Sequence, residues 1–363
     1  MKPLSLPTVF AMALLAGVPV LVSCNSSGNS APAAENISKA ETSSPVNYAS
    51  DPHLSAATKE FLKPLNSGGK PLETLPVEDA RNVLVGAQGG ATVDLSGIDE
   101  STKEIQQDGM TITLNIVRTK GAKGVQPGFM YIHGGGWVLG DYPTHKRMVR
   151  DLVVLTGYTA VFVEYKRAPE FKYPYQVNEV YAAAKWLADH GAEVGLDGKN
   201  MAIIGNSAGG NLATAAALMA KEKGGVAFKT QILFWPVTDA DFSRESWKLY
   251  GEQRFLTASL MKWMWDQYIP AEKRKEIYAS PLQATVEQLK GLPPTLIQVA
   301  ENDILRDEGE AYGRKLLEAG VDVTTVRYND VIHDWGLLNG LAGIPQTKAL
   351  FIQTAAELKK HLK

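Results

Sequence analysis

The sequence predicts an α/β fold: a mostly parallel central sheet flanked by helices, with a helical cap. Three observations predict it. Strand-like and helix-like patterns alternate from residue 129 onward, as strand–helix–strand units do. Residues 201–212 pass from a β-branched run through Gly205-Asn206-Ser207-Ala208-Gly209 into an alanine-rich stretch, which places a serine on a sharp strand-to-helix turn. Finally, a serine, an acid, a histidine and a glycine loop each follow a different strand pattern, and such sheets present those loops at one edge.

The N-terminus stands outside this pattern. Lys2 precedes an apolar stretch, Thr8 to Val22, that Pro19 interrupts and that is short for a bilayer span. Residues 1–23 read as a signal peptide ending at Leu21-Val22-Ser23-Cys24, which resembles a bacterial lipobox. Cys24 is the only cysteine in the chain, so a disulfide within the chain is excluded. The expectation is a lipid anchor at Cys24 and an envelope location, with Asn25 favouring the outer membrane. The alternative is an ordinary secretory signal and a soluble periplasmic or secreted protein. Residues 24–47 are rich in Ser, Ala, Asn, Pro and Glu without apolar period, the composition of a flexible tether.

Residues 48–363 carry the fold. Asp51 to Arg81 holds two helical patterns, the second opening at Pro76-Val77-Glu78-Asp79, a helix-start signal. Because they precede any strand, they are expected to form a cap, over about 48–100, together with an irregular aromatic segment at 240–275. Residues 108–118 alternate apolar and polar as a half-exposed antiparallel strand does. Buried strands are expected at 129–132, 159–163, 201–204, 231–234, 296–299 and 323–328. Helices are expected at 146–155, 177–190, after Ser207, and at 257–268, 307–319 and 346–361. Within the aromatic segment, Trp263, Met264 and Trp265 fit either plain core or the roof of an acyl pocket.

Composition excludes several function classes. The 363 residues are 45% hydrophobic and 21% charged with a formal net charge of −2, and no basic cluster suggests a nucleic-acid partner. No zinc-type Cys/His cluster, phosphate loop or dinucleotide fingerprint occurs, and the chemistry below needs neither metal nor cofactor.

That chemistry is acyl transfer. Ser207 is a weak nucleophile at its free pKa and needs a base. Of six histidines, only His333 follows a late strand in a non-helical loop, where it can take the serine proton and return it to a leaving alcohol. His53, His190 and His361 read as surface residues and His145 as structural. His133, with Gly134, reads as orienting the loop His133-Gly134-Gly135-Gly136-Trp137. Asp303, in the turn after its strand, is the favoured acid over Glu301, Asp307 and Glu308, with Asp307 expected to cap the next helix. Backbone N–H groups of Gly135, Gly136 and Ala208 are placed to bind an oxyanion. The order Ser, Asp, His is that of α/β-hydrolases.

These residues resemble the bacterial hormone-sensitive-lipase-like esterases of the α/β-hydrolase fold, from about residue 50 to near the C-terminus. The resemblance is carried by His133 to Trp137, Leu139-Gly140-Asp141, Thr144-His145, Tyr165 to Glu170, Gly205 to Leu212 and Asp303 to Glu308. It implies Ser207 as nucleophile, Asp303 as acid and His333 as base, with oxyanion donors on Gly135, Gly136 and Ala208. It also implies a capped pocket and short-chain carboxylic esters as substrates. Three places depart from the family pattern. Asn206 stands where Asp is commoner, Ile304 where Pro is usual, and Asp334-Trp335 after His333 where Gly or Ala and then Phe are usual. The expected function is a serine carboxylesterase acting on small to medium acyl esters, its partner a small-molecule ester. The alternatives are a silent small-molecule-binding protein on the same fold, or a hydrolase of another acyl bond: amide, polymer or drug ester. The oligomeric state is open.

Overall fold

A computed structural model describes residues 46–363; the expected signal peptide, Cys24 and most of the expected tether lie outside the described residues. Two helices, α1 (Ala56–Leu65) and α2 (Val77–Gly89), come first. Then follow β1 (Ile98–Gln107), β2 (Met110–Thr119), β3 (Gln126–Ile132), α3 (Tyr142–Thr156), β4 (Thr159–Glu164) and α4 (Tyr175–His190). The chain continues through β5 (Leu196–Asn206), α5 (Ala208–Lys223), β6 (Gln231–Phe234), α6 (Glu245–Tyr250), α7 (Ala258–Tyr268) and α8 (Val286–Leu289). It closes with β7 (Thr295–Asn302), α9 (Arg306–Glu318), β8 (Val323–Ile332) and α10 (Pro345–His361).

The eight strands form one sheet in the order β1-β2-β4-β3-β5-β6-β7-β8. The β1–β2 and β2–β4 pairs are antiparallel and the rest parallel, so the mostly parallel sheet holds. Period-two alternation sorts the core into two layers. Met130, Ile132, Val161, Val163, Met201 and Ile203 face one side, with α4, α5 and α9. Phe129, Tyr131, Ala160, Phe162, Ala202 and Ile204 face the other, with α3 and α10. A sheet buried on both faces needs the continuous apolar runs that made these strands readable.

Several boundaries differ from expectation. β1 was not expected, and the cap range ending near residue 100 overruns its start. The strand Ile-Asp-Glu-Ser-Thr-Lys-Glu-Ile-Gln-Gln is largely exposed at the sheet edge, so nothing selects for an apolar face along most of it. α3 starts at Tyr142, four residues before the expected start, because Asp141 and Thr144 form a reciprocal capping box ahead of it. Asp307 is inside α9 and is not its cap; Leu305 holds that position with no side-chain capping bond. α6 and α8 are short and were not expected.

Helix α2 is fixed at both ends. Arg81 donates to Val138 O at 2.9 Å, Ala168 O at 3.0 Å and Glu170 Oε2 at 2.7 Å. Gln88 donates to Thr144 O at 2.6 Å and Leu337 O at 3.0 Å, and accepts from Asn339 N at 2.9 Å. Among the described residues, no helix is long and apolar enough to cross a membrane.

Candidate active site

The turn between β5 and α5 is tightly constrained. Ser207 has φ 53° and ψ −121°, a conformation that costs on the order of 1–3 kcal/mol for a residue with a side chain. The surroundings hold it there. Ser207 N donates to Phe234 O at 2.9 Å, and Ser207 O accepts from Asn211 N and Val237 N, each at 3.1 Å. The flanking glycines allow the approach: a Cβ on Gly209 would run into the carbonyls of Ile132 and His133, and one on Gly205 into that of Gly209. That is why small residues stand two before and two after the serine.

The structure brings the three expected side chains together. Ser207 Oγ lies 3.0 Å from His333 Nε2, and His333 Nδ1 lies 2.7 Å from Asp303 Oδ2. An ionised carboxylate only accepts, so Nδ1 carries the proton and Nε2 is free to accept from the hydroxyl. Asp303 Oδ1 accepts from Leu305 N at 2.9 Å, which fixes the carboxylate in its turn. All three residues are buried, Ser207 being 3% exposed. Burial by itself would push the His333 imidazolium down; the charges of Asp303 and Asp334 and the Asp303 hydrogen bond outweigh it, and its pKa lies above the ordinary histidine value.

The competing acids are engaged elsewhere. Glu301 accepts from Asp330 N at 3.0 Å and pairs with His53 at 3.1 Å. Asp307 accepts from Ser246 N at 2.8 Å and Arg306 Nε at 2.9 Å. Glu308 is fully buried, accepts from Thr238 N at 2.8 Å, and has its pKa pushed well above the carboxylate range by burial.

The glycine loop faces the serine. His133 Nδ1 lies 2.8 Å from Gly134 O, and its ring stacks on Tyr165 at 4.0 Å and on Phe162 at 5.4 Å. Burial drives the His133 and His145 pKa values below the ordinary histidine value, which favours the neutral ring in both. Gly134 N donates to Asn206 Oδ1 at 2.9 Å. Gly135 and Gly136 have φ 103° and 60°, and the described backbone hydrogen bonds take up neither of their N–H groups nor that of Ala208. Ala208 opens α5, where the first N–H groups lack helical acceptors and the helix dipole favours negative charge.

A cavity of about 430 Å³ opens onto Ser207, His333, Gly135 and Gly136. Its walls are largely apolar: Leu65 from α1, Val83 and Leu84 from α2, Leu139, Leu256, and Leu260 and Met264 from α7. Met264 is therefore a wall residue. Trp265 is core, edge-on to Trp137 with ring centres 4.7 Å apart.

Two further contacts surround the base. Asp334 Oδ1 accepts from Trp235 Nε1 at 2.6 Å and from Asn206 Nδ2 at 3.2 Å, and its Oδ2 is 3.9 Å from His333 Nε2. Sequence reasoning noted Asp334 only as a departure. Trp235 follows the apolar strand β6 and carries the signal of a core residue, so its bond to Asp334 was not legible either.

Residues 129–337 match the protein family described as the alpha/beta hydrolase fold. The chain belongs to that family. Its relatives include an ethyl acetate hydrolase of Pseudomonas putida, 29% identical over 320 residues, covering 85% of this chain and 98% of that one. A carboxylesterase of Mycobacterium tuberculosis is 33% identical over 238 residues, covering 65% of this chain and 74% of that one. Among solved structures, a thermostable esterase from Pseudomonas putida ECU1011 is 54% identical with a TM-score of 0.85, over 86% of this chain and 99% of that one. This α/β-hydrolase is a carboxylic ester hydrolase.

Proposed function

We propose that the protein hydrolyses esters of small to medium acyl chains through an acyl-enzyme on Ser207. The observation that carries this is the unbroken line from Ser207 Oγ through His333 to Asp303, opening into an apolar cavity. Ser207 Oγ attacks the ester carbonyl carbon while its proton passes to His333 Nε2. The carbonyl oxygen becomes an oxyanion, for which the N–H groups of Gly135, Gly136 and Ala208 are the proposed donors; losing one such donor costs about 3–4 kcal/mol of barrier. Collapse breaks the carbon–oxygen bond, and His333 returns the proton to the departing alcohol. Water repeats the sequence in reverse on the acyl-enzyme, releasing the carboxylic acid and Ser207. Asp303 holds the Nδ1–H tautomer and offsets the imidazolium charge throughout. A cavity of about 430 Å³ with apolar walls suits modest acyl and alcohol groups. The Pseudomonas putida relative that acts on ethyl acetate supports the same size class.

The base works only when neutral. Its pKa is raised, so turnover is expected to climb with pH through a value above the ordinary histidine value. Ser207→Ala should leave a folded protein with p-nitrophenyl acetate turnover reduced by at least about 10³-fold. Undiminished turnover in that variant would remove Ser207 from the reaction.

A further inference from the structure

We propose that Asn206 is a positioning residue: through Asp334 it ties the glycine loop to the histidine loop, holding oxyanion donors and base at one fixed spacing. The inference rests on the acyl-enzyme reading above and adds to it a part that the reading does not need.

Asn206 is fully buried beside the nucleophile, and each side of its amide has a different task. Its Oδ1 accepts from Gly134 N at 2.9 Å and from the Tyr131 hydroxyl at 3.1 Å. Its Nδ2 donates to Asp334 Oδ1 at 3.2 Å. Two donors converge on one end and a carboxylate faces the other, so the amide orientation is fixed by its neighbours. Asp334 directly follows His333 and lies in the left-handed region at φ 61°, and its carbonyl accepts from Leu337 N at 2.8 Å and Leu338 N at 2.9 Å. One side chain thus spans from the His133–Gly134 peptide to the residue after the base.

A carboxylate at position 206 could keep the Gly134 and Tyr131 contacts but could not donate to Asp334. Two buried carboxylates would then meet at hydrogen-bond distance, an arrangement that is costly unless one is protonated. The amide belongs at 206 because the carboxylate is at 334. The titratable groups facing the base are Asp303 and Asp334; those facing the Asn206 cluster are Asp334, Tyr131, His145 and, beyond Tyr131, Arg147.

The test is an exchange of the two groups. Asn206→Asp is expected to lower kcat for p-nitrophenyl acetate by about tenfold with KM within about twofold, because the loss falls on transition-state geometry. The acid limb of its pH profile should move up, since a third carboxylate beside Asp303 and Asp334 favours imidazolium. Adding Asp334→Asn removes one of the two facing charges but rebuilds no hydrogen bond, because the side-chain atom facing position 206 has to stay an oxygen to accept from Trp235 Nε1; kcat should therefore recover only in part, by about threefold over Asn206→Asp. A folded double variant no better than Asn206→Asp would overturn the coupling. Should Asn206→Asp fail to fold, Asp334 alone decides. Asp334→Asn keeps the acceptor, so its plateau kcat should stay within about threefold of wild type with the acid limb moved down; Asp334→Ala loses the acceptor and should fall about tenfold. Equal losses in those two variants would overturn the inference. Fluorophosphonate labelling of wild type, absent in Ser207→Ala, is run alongside. If wild type does not label, the acyl-enzyme reading itself fails, whatever the exchange shows.

Discussion

The floor and the roof of the cavity are built by different means. The floor consists of strand ends: Ser207 after β5, Asp303 after β7, His333 after β8 and the glycine loop after β3. Its geometry is set by backbone approaching backbone, with the carbonyls of Ile132 and His133 against Gly209. The roof consists of side chains from α1, α2 and α7. Parts of it lie open to solvent, Leu65 being 48% and Val83 42% exposed, and a Cβ on Gly68 or Gly69 would meet nothing within 4 Å. The reaction is therefore written in main-chain geometry and the substrate range in exchangeable side chains.

The contrast can be broken at graded cost. Gly209→Ala should have the largest effect: neither carbonyl it meets can move without displacing β3 or the glycine loop. A destabilisation of at least about 3 kcal/mol in denaturant unfolding is expected, with turnover lost in whatever folds. Wild-type stability there would mean that the floor is softer than its contacts indicate. Met264→Ala should act on selectivity instead. It removes a side chain packed against Gly136 and enlarges the cavity wall. In a panel of p-nitrophenyl esters of increasing acyl length, kcat/KM should rise for longer chains relative to acetate by about tenfold. Stability should fall by about 2–3 kcal/mol. A uniform loss at every chain length would place Met264 with the floor. In the same panel, Leu65→Ser at the open rim should change no ratio by more than about twofold.

This division also explains what could be read beforehand. Ser207, Asp303 and His333 were legible because parallel strands deliver their carboxyl ends to one edge, so chain order alone placed them together. β6, at Gln231 to Phe234, matched its expected bounds because both its faces are buried. β8 was read short: Asn329 and Asp330 interrupt the pattern, and the ladder resumes past an irregularity to reach Ile332, next to the base. Asp334 was not legible as a partner of Asn206, since the two are 128 positions apart and neither belongs to a periodic pattern. The aromatic segment stayed ambiguous for a related reason. Met264 and Trp265 are adjacent on one helix yet face the cavity and the core, and on a helix side chains one apart do not share a face.

The anchoring of α2 has a consequence for how such proteins can be recombined. Gln88 is hydrogen-bonded to Leu337 and Asn339, just beyond the base, and Arg81 reaches Ala168 and Glu170 on the far side of the glycine loop. A roof grafted in place of α2 would have to bring its own donors for the carbonyls of Val138, Thr144, Ala168 and Leu337, which Arg81 and Gln88 now satisfy. The N-terminal helices are thus not an interchangeable module, and a working chimera with two seams has to place one crossover beyond Glu170 and the other before Leu337, so that α2 travels with its partners.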